Sequence, residues 1–173
     1  ERVTADRKRT LCKLGEGGVY VLGRGRVRVF RPCGDREMTL EYCGAGEVLG
    51  ETSIWDSRVD AEVFALEPTE SVRVPLTIVK QLIGMHGPFT AALMHVFHNR
   101  RRLAEHRVHA MLSRDVESRV AEFILDVAAK HGVPDPRGVL VEFKFTHQEI
   151  ADFVGSTRET VTLVMGALKK EGV

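Results

Sequence analysis

A chain of 173 residues can bury a sizeable core and hold one large or two small domains. Its formal charge of +1, from 25 Lys and Arg against 24 Asp and Glu, gives no global basic signature, so any affinity for nucleic acid must come from local placement. Three sparse cysteines argue against a disulfide framework, no apolar run reaches the length of a membrane span, and the charged start ERVTADRKRT lacks a signal-peptide core, so a cytoplasmic protein is expected.

From Thr10 to Pro75 the chain consists of short β-rich runs broken by glycine: GVYVLGRGRVRVF, REMTLEYCGAGEVLG and AEVFALEPTESVRVP. Val27 and Val29 alternate with Arg26 and Arg28. Turn candidates at Gly23, Gly25, Cys33-Gly34-Asp35 and Gly44-Ala45-Gly46 fall between the runs, as in an antiparallel sandwich or β-roll. After Pro75 the periodicity becomes helical, with a short helix near 76–83 and a long one over about 88–112, where Pro88 suits the first turn.

Along the long helix Phe89, Leu93, Val96, Leu103 and Ala110 recur at alternating four and three residue spacing, with Arg100 and Arg107 at the two remaining seam positions. The stripe can pair with a second helix or pack on the β-roll of its own chain.

The last stretch, FTHQEIADFVGSTRETVTLVMGALKKEG, carries two helix starts. Thr146-His147-Gln148-Glu149 and Ser156-Thr157-Arg158-Glu159 both read as capping boxes. Ile150, Ala151, Phe153 and Val154 form an apolar face on the first helix, and Val161, Val164, Met165 and Leu168 form one on the second. Gly155 suits the left-handed residue of the turn between them. Helix, short glycine turn and helix make a helix-turn-helix pattern, and the face left free at the start of the second helix holds Thr157, Arg158, Glu159 and Thr162.

HQEIADFVGSTRETVTLVMGALKKEG resembles the DNA-binding segment of the CRP/FNR family of regulators, whose recognition helix starts with a Ser/Thr-Arg-Glu-Thr-Val run. The resemblance extends through LSRDVESRVAEFILDVAAKHGV and, more weakly, over the whole chain. It implies an α+β chain with an N-terminal antiparallel β-roll of the cyclic-nucleotide-binding kind over 1–87, a dimerisation helix over 88–112 and a winged helix-turn-helix domain over 113–173. The family's wing would follow KKEGV, so it is expected to be missing here.

The implied function is sequence-specific binding of double-stranded DNA by a homodimer at palindromic promoter sites, with RNA polymerase as a further partner and no membrane. The stripe from Phe89 to Ala110, Arg100 and Arg107 included, becomes the dimer seam, and two recognition helices roughly 34 Å apart read the two half-sites. Arg158 and Glu159 stand where the family reads guanine and cytosine edges, Leu163 replaces a second arginine, and Ser156, Thr157, Thr162, Thr146 and His147 complete the expected DNA-facing set.

In the family's cyclic-nucleotide cassette a Gly-Glu opening meets the ribose and a later Arg with a small residue holds the cyclic phosphate. Gly50-Glu51 matches the opening and Thr52 follows, but Val59 and Asp60 take the places of the phosphate-binding pair, with Arg58 one position early. A carboxylate facing a phosphate is repulsive, so cyclic AMP is not expected as a cofactor. Two alternatives stay open. The spacing of Arg100 and Glu105, together with Arg58, resembles the 2-oxoglutarate site of the nitrogen-control branch; the other alternative is no small effector at all, and the residues favour it slightly.

His95 with His98, and His106 with His109, stand at i and i+3 on the long helix, but no further ligand is in register, so no metal is expected. Cys12, Cys33 and Cys43 lack iron-sulfur spacing, and redox sensing through one of them stays open. No Gly-x-Ser-x-Gly, phosphate-binding loop or His-Glu-x-x-His motif supports an enzyme.

Overall fold

A computed structural model of the chain describes residues 1–15, 18–34, 36–56, 61–136, 138–141 and 145–172. The chain forms two compact units, Glu1–Arg102 and Leu103–Val173.

The first unit is a β-sandwich. One sheet has the order β1-β8-β3-β6, formed by Arg2–Ala5, Thr69–Pro75, Gly18–Arg24 and Val48–Leu49. The other has the order β2-β7-β4-β5, formed by Thr10–Leu14, Ala61–Ala65, Val27–Cys33 and Arg36–Cys43. All pairings are antiparallel. The alternation that predicts strands also supplies the core: Ala61, Val63 and Ala65 of β7 point inward, with half-buried Glu62 and Phe64 between them. Leu11, Leu14, Tyr20, Leu22, Val27, Val29, Cys43 and Leu49 join Ala61 and Val63 in one buried cluster. The three runs quoted from the sequence carry β3 to β8, while β2 lies in the same 10–75 stretch outside them. Strand β1, which the sequence reading lacks, pairs its Arg2 with Val72 of β8.

Helix α1 spans Leu76–Met85 and α2 spans Gly87–Ser113, each close to its expected limits. A second cluster of Val19, Ile54, Val79 and Leu93, with Phe89 and Phe97 packed against it, anchors α1 and the first part of α2 to the sandwich. The division between the units falls inside α2, so the helix expected as a segment of its own contributes its first part to one unit and its remainder to the other.

In the second unit α3 runs Val116–His131, α4 His147–Val154 and α5 Arg158–Glu171, and an antiparallel hairpin, β9 Gly132–Asp135 with β10 Gly138–Val141, separates α3 from α4. The hairpin has no counterpart in the sequence reading. Buried Val120, Phe123 and Val127 of α3 pack with buried Ile150, Ala151 and Val154 of α4 and Val161 of α5. The ring of Phe123 meets Phe145 and Phe153 at centroid distances of 5.1 and 4.9 Å.

Asp115 caps α3, accepting from the amide of Ser118 at 2.8 Å, and that hydrogen bond holds its carboxyl below the usual carboxylate range. A lowered folded-state pKa means that the cap's contribution is complete at neutral pH and is lost as pH falls from the ordinary aspartate value of about 3.9 through the folded one. Asp115→Ala should therefore reduce the drop in unfolding free energy between about pH 6 and about pH 3, measured by urea denaturation. Asp115→Asn should keep the cap while flattening the same dependence.

Candidate nucleic-acid interface

Helix α4 begins with the expected capping box: Thr146 Oγ1 accepts from the amide of Glu149 at 3.1 Å, and the Glu149 carboxylate accepts from the amide of Thr146 at 2.7 Å. It ends at Gly155, whose φ of 67° is the left-handed conformation that favours glycine, and a Cβ there would stand 3.1 Å from Met111 Cε. Two arginines secure the last carbonyls of α4. Arg107 donates to Phe153 O at 2.7 Å with its guanidinium 4.1 Å from the centre of the Phe153 ring, and Arg119 donates to Val154 O at 2.8 Å.

The start of α5 differs from expectation by one residue. The cap is Thr157, which accepts from the amide of Thr160 at 3.3 Å, rather than Ser156, and the expected second capping box with Glu159 is not formed. Ser156 is half-buried in the turn, where its amide donates to Ala151 O. Val161 is fully buried, and Val164, Met165 and Leu168 are half-buried behind it. On the other side Arg158, Glu159, Thr162 and Leu163 are exposed, Leu163 to 74%.

Thr162 and His147 are joined: Thr162 Oγ1 donates to Arg158 O at 2.8 Å and lies 2.8 Å from His147 Nδ1. Thr146, on the other side of His147, is exposed. The eight expected DNA-facing residues therefore lie at the start of α4, in the turn and along the first half of α5. The positive ends of α5's dipole and of α4's suit an anionic backbone, and Lys169 and Lys170 complement the far end of α5.

Sequence reasoning missed Arg107 and Arg119 as supports of this unit. Arg107 was expected in the dimer seam, but its partner lies 46 residues away and leaves no local signal.

Part of the expected effector set sits in the sandwich. Gly50 has a φ of 78°, with Gly18 O only 2.9 Å from a Cβ built on it, and this turn delivers Glu51 into the interior, where it is 2% exposed. Arg100 reaches Glu51 with Nη1, Glu41 with Nη2 at 2.8 Å and Nε at 3.2 Å, and Val48 O with Nη2 at 2.6 Å. Thr52 is exposed, and Arg58, Val59 and Asp60 lie outside the described residues. Glu105 is exposed, and five residues of helix separate it from Arg100 by about 140° of rotation, so one copy of α2 does not turn both toward one site.

The stripe expected as a seam faces inward. Leu93 and Ala110 are buried, Phe89 packs on the sandwich core, Val96 and Leu103 are half-buried, and Arg100 and Arg107 are held by their own units. The opposite side carries a second stripe with the same alternating spacing, Ala91, Met94, His98, Arg101, Glu105, Val108 and Leu112, all exposed, with Met94 at 58%, Val108 at 57% and Leu112 at 85%.

Among the described residues no group of three or more His, Cys, Asp or Glu is arranged to hold a metal. His106 faces Glu122 at 3.4 Å, while His109 lies beside Ser113. Burial pushes the Cys43 thiol well up, with Glu41 and Glu47 adding to the shift, which makes it a poor redox nucleophile.

The profile of the cyclic nucleotide-binding domain matches residues 2–86, and that of the Crp-like helix-turn-helix domain matches residues 118–173. The cyclic AMP receptor protein of Thermus thermophilus is 31% identical over 161 residues, covering 90% of this chain and 69% of that protein. This chain belongs to the CRP/FNR family of transcriptional regulators. The regulator is also 29% identical to the global nitrogen regulator of a Synechocystis strain over 96% of its own length and 77% of that protein's. Its fold is that of FixK2 from Bradyrhizobium japonicum, with a TM-score of 0.85 at 20% identity, covering 100% of the regulator and 86% of that chain. A CooA mutant from Carboxydothermus hydrogenoformans gives 0.81 at 24% identity, with 100% and 78% covered. No helix among the described residues is long and apolar enough to cross a membrane.

Proposed function

We propose that two copies of this regulator pair along α2 and read a palindromic duplex site in the cytoplasm, with α5 of each copy in the major groove and RNA polymerase as the eventual partner. The observation that carries this reading is the exposed set Arg158, Glu159, Thr162 and Leu163 on a helix whose other side is buried. Such a helix start matches what base edges require: a forked donor for guanine, an acceptor for cytosine and an apolar contact for the thymine methyl. Electrophoretic shift of duplex fragments at moderate salt tests it, with saturable binding expected and a complete lack of selected sequence counting against it.

The face we assign to pairing is the outer stripe from Ala91 to Leu112. Its ends are apolar, Ala91 with Met94 and Val108 with Leu112, and its centre holds His98, Arg101 and Glu105. Unlike charges on adjacent layers can pair across a parallel seam and fix its register. Val108→Asp would bury unpaired charge in such a seam, so sedimentation should show monomers. A dimer that survives this change would place the seam elsewhere.

We further propose that cyclic AMP is not the effector. Glu51, at the position that meets the ribose in nucleotide-binding relatives, is held by Arg100, and Arg100 is shared with Glu41. The same engagement, with Glu105 turned away around the helix, speaks against a 2-oxoglutarate site formed by Arg100 and Glu105 within one copy. Between the remaining alternatives, another small metabolite in the β-roll or no small effector, this reading favours the second, with activity set by the amount of protein. Relatives carry names such as the CRP-like cAMP-activated global transcriptional regulator of Mycobacterium tuberculosis, so the contrast is testable. Thermal denaturation with cyclic AMP should show no shift, whereas a ligand at a hundred times its Kd would stabilise by about 2.7 kcal/mol.

A further inference from the structure

The contact between His147 and Thr162 crosses from the first helix of the helix-turn-helix to the second, and its proton arrangement can be read from the bonds around it. A threonine hydroxyl has one proton and two lone pairs. Thr162 Oγ1 donates that proton to Arg158 O at 2.8 Å, the back-bond a helical threonine makes to the preceding turn. Both bonds form at once when the oxygen accepts in its 2.8 Å contact with His147 Nδ1, and in that arrangement the imidazole carries its proton on Nδ1. Two bonds fix the hydroxyl, and what Thr162 still offers outward is one lone pair and a methyl group. It has no donor left.

We propose that His147 is a specificity-determining residue that acts through Thr162: by holding this hydroxyl as an acceptor it makes the recognition helix discriminate against guanine at the base facing position 162. The inference rests on α5 entering the major groove, as proposed above. Guanine presents only the acceptors N7 and O6 on that edge, so a lone pair facing it is repelled. Adenine and cytosine offer amino protons, and thymine offers a methyl group, so each can meet Thr162 favourably. Without His147 the hydroxyl is free to rotate, release Arg158 O and donate to a guanine acceptor. The neighbouring Leu163 cannot restore the lost choice, since it has neither donor nor acceptor.

Asparagine separates the positioning role from any direct contact made by the far side of the imidazole, because its Nδ2 occupies the place of Nδ1 and donates to Thr162 in the same way, while nothing replaces Nε2. Site selection on randomised duplexes should be run on the full chain and on His147→Ala, His147→Asn and Thr162→Val. The parent and His147→Asn should exclude guanine at one position beside the Arg158-read G·C pair. His147→Ala should admit guanine there roughly fivefold more often, the scale of a single hydrogen bond, with the G·C pair still selected. Thr162→Val should lose the preference for amino-bearing bases and keep thymine.

If His147→Ala keeps the parent's stringency at that position, the proposal is overturned, as it is if His147→Asn behaves like His147→Ala. Should His147→Ala fail to fold, as judged by its thermal transition, the Asn and Val variants decide alone, and guanine accepted by His147→Asn refutes the assignment. Failure of the groove reading itself looks different: no variant, and not the parent either, would then select a G·C pair.

Discussion

Replacing Arg158 with alanine should remove most of the sequence preference of DNA binding while leaving binding itself in place. The side chain is exposed at the first position of α5, so its loss removes no buried contact. A bidentate arginine on guanine O6 and N7 contributes about 1 to 3 kcal/mol of discrimination, and a two-fold complex carries the contact twice. Affinity for unrelated duplex comes from phosphate neutralisation and the helix ends, which remain. Competition between specific and random duplexes should thus fall toward a ratio of one in Arg158→Ala. In the opposite direction, Leu163→Arg places a forked donor where 74% of a leucine is now exposed and should add guanine preference at a further position. Selection of the parent motif with undiminished stringency by Arg158→Ala would show that α5 is not the reader.

The largest loss of stability should come from Arg100→Leu. The guanidinium joins three groups of the sandwich unit that are far from it in sequence: Glu41, Val48 O and Glu51. Glu51 is 2% exposed, and removing Arg100 takes away the counter-charge that it has among the described residues. Breaking a buried ion pair from one side costs about 3 to 5 kcal/mol, because the remaining charge carries its full desolvation penalty. For a unit of this size that corresponds to a fall in Tm of more than about 10 °C. Adding Glu51→Gln to Arg100→Leu should restore part of the loss, and a double-mutant cycle separates the pair energy from the packing of the side chain. Arg100→Lys should recover little, since one ammonium cannot span two carboxylates and a carbonyl with fixed geometry. A Tm within a degree or two of the parent for Arg100→Leu would mean that Glu51 finds other support.

Local features were the ones open to reading from sequence. The box of Thr146 and Glu149, the turn at Gly155 and the apolar stripes of α4 and α5 each depend on residues within one or two turns, and all stand where the spacing puts them. The cap of α5 fell one residue late because Ser156 and Thr157 are both favoured caps, and local preference alone does not select between them. On α2 two stripes share the same alternating period. The one richer in phenylalanine, leucine and valine suggested a partner helix, and in the structure its Phe89 and Leu93 pack with Val19, Ile54 and Val79 of the first unit. Hydrophobic period fixes which residues share a face without saying what covers it. The hairpin of β9 and β10 escaped because its strands have only four residues and Pro134 interrupts the first of them. The triad of Arg100 could not be seen, since Glu41 lies 59 residues away.

The pairing of β1 with β8 has a consequence for the order in which the chain can fold. Arg2 meets Val72 and Ala5 meets Thr69, so β1 waits for a strand made about seventy residues later. Until then β1 is a bare edge able to pair with other chains. The helical unit, whose supporting bonds span 35 and 46 residues, has shorter loops to close and should reach its native form sooner than the sandwich. In refolding experiments amide protection should therefore develop in α3 to α5 before it develops in β1 and β8, and the slow phase should be the one most prone to aggregation.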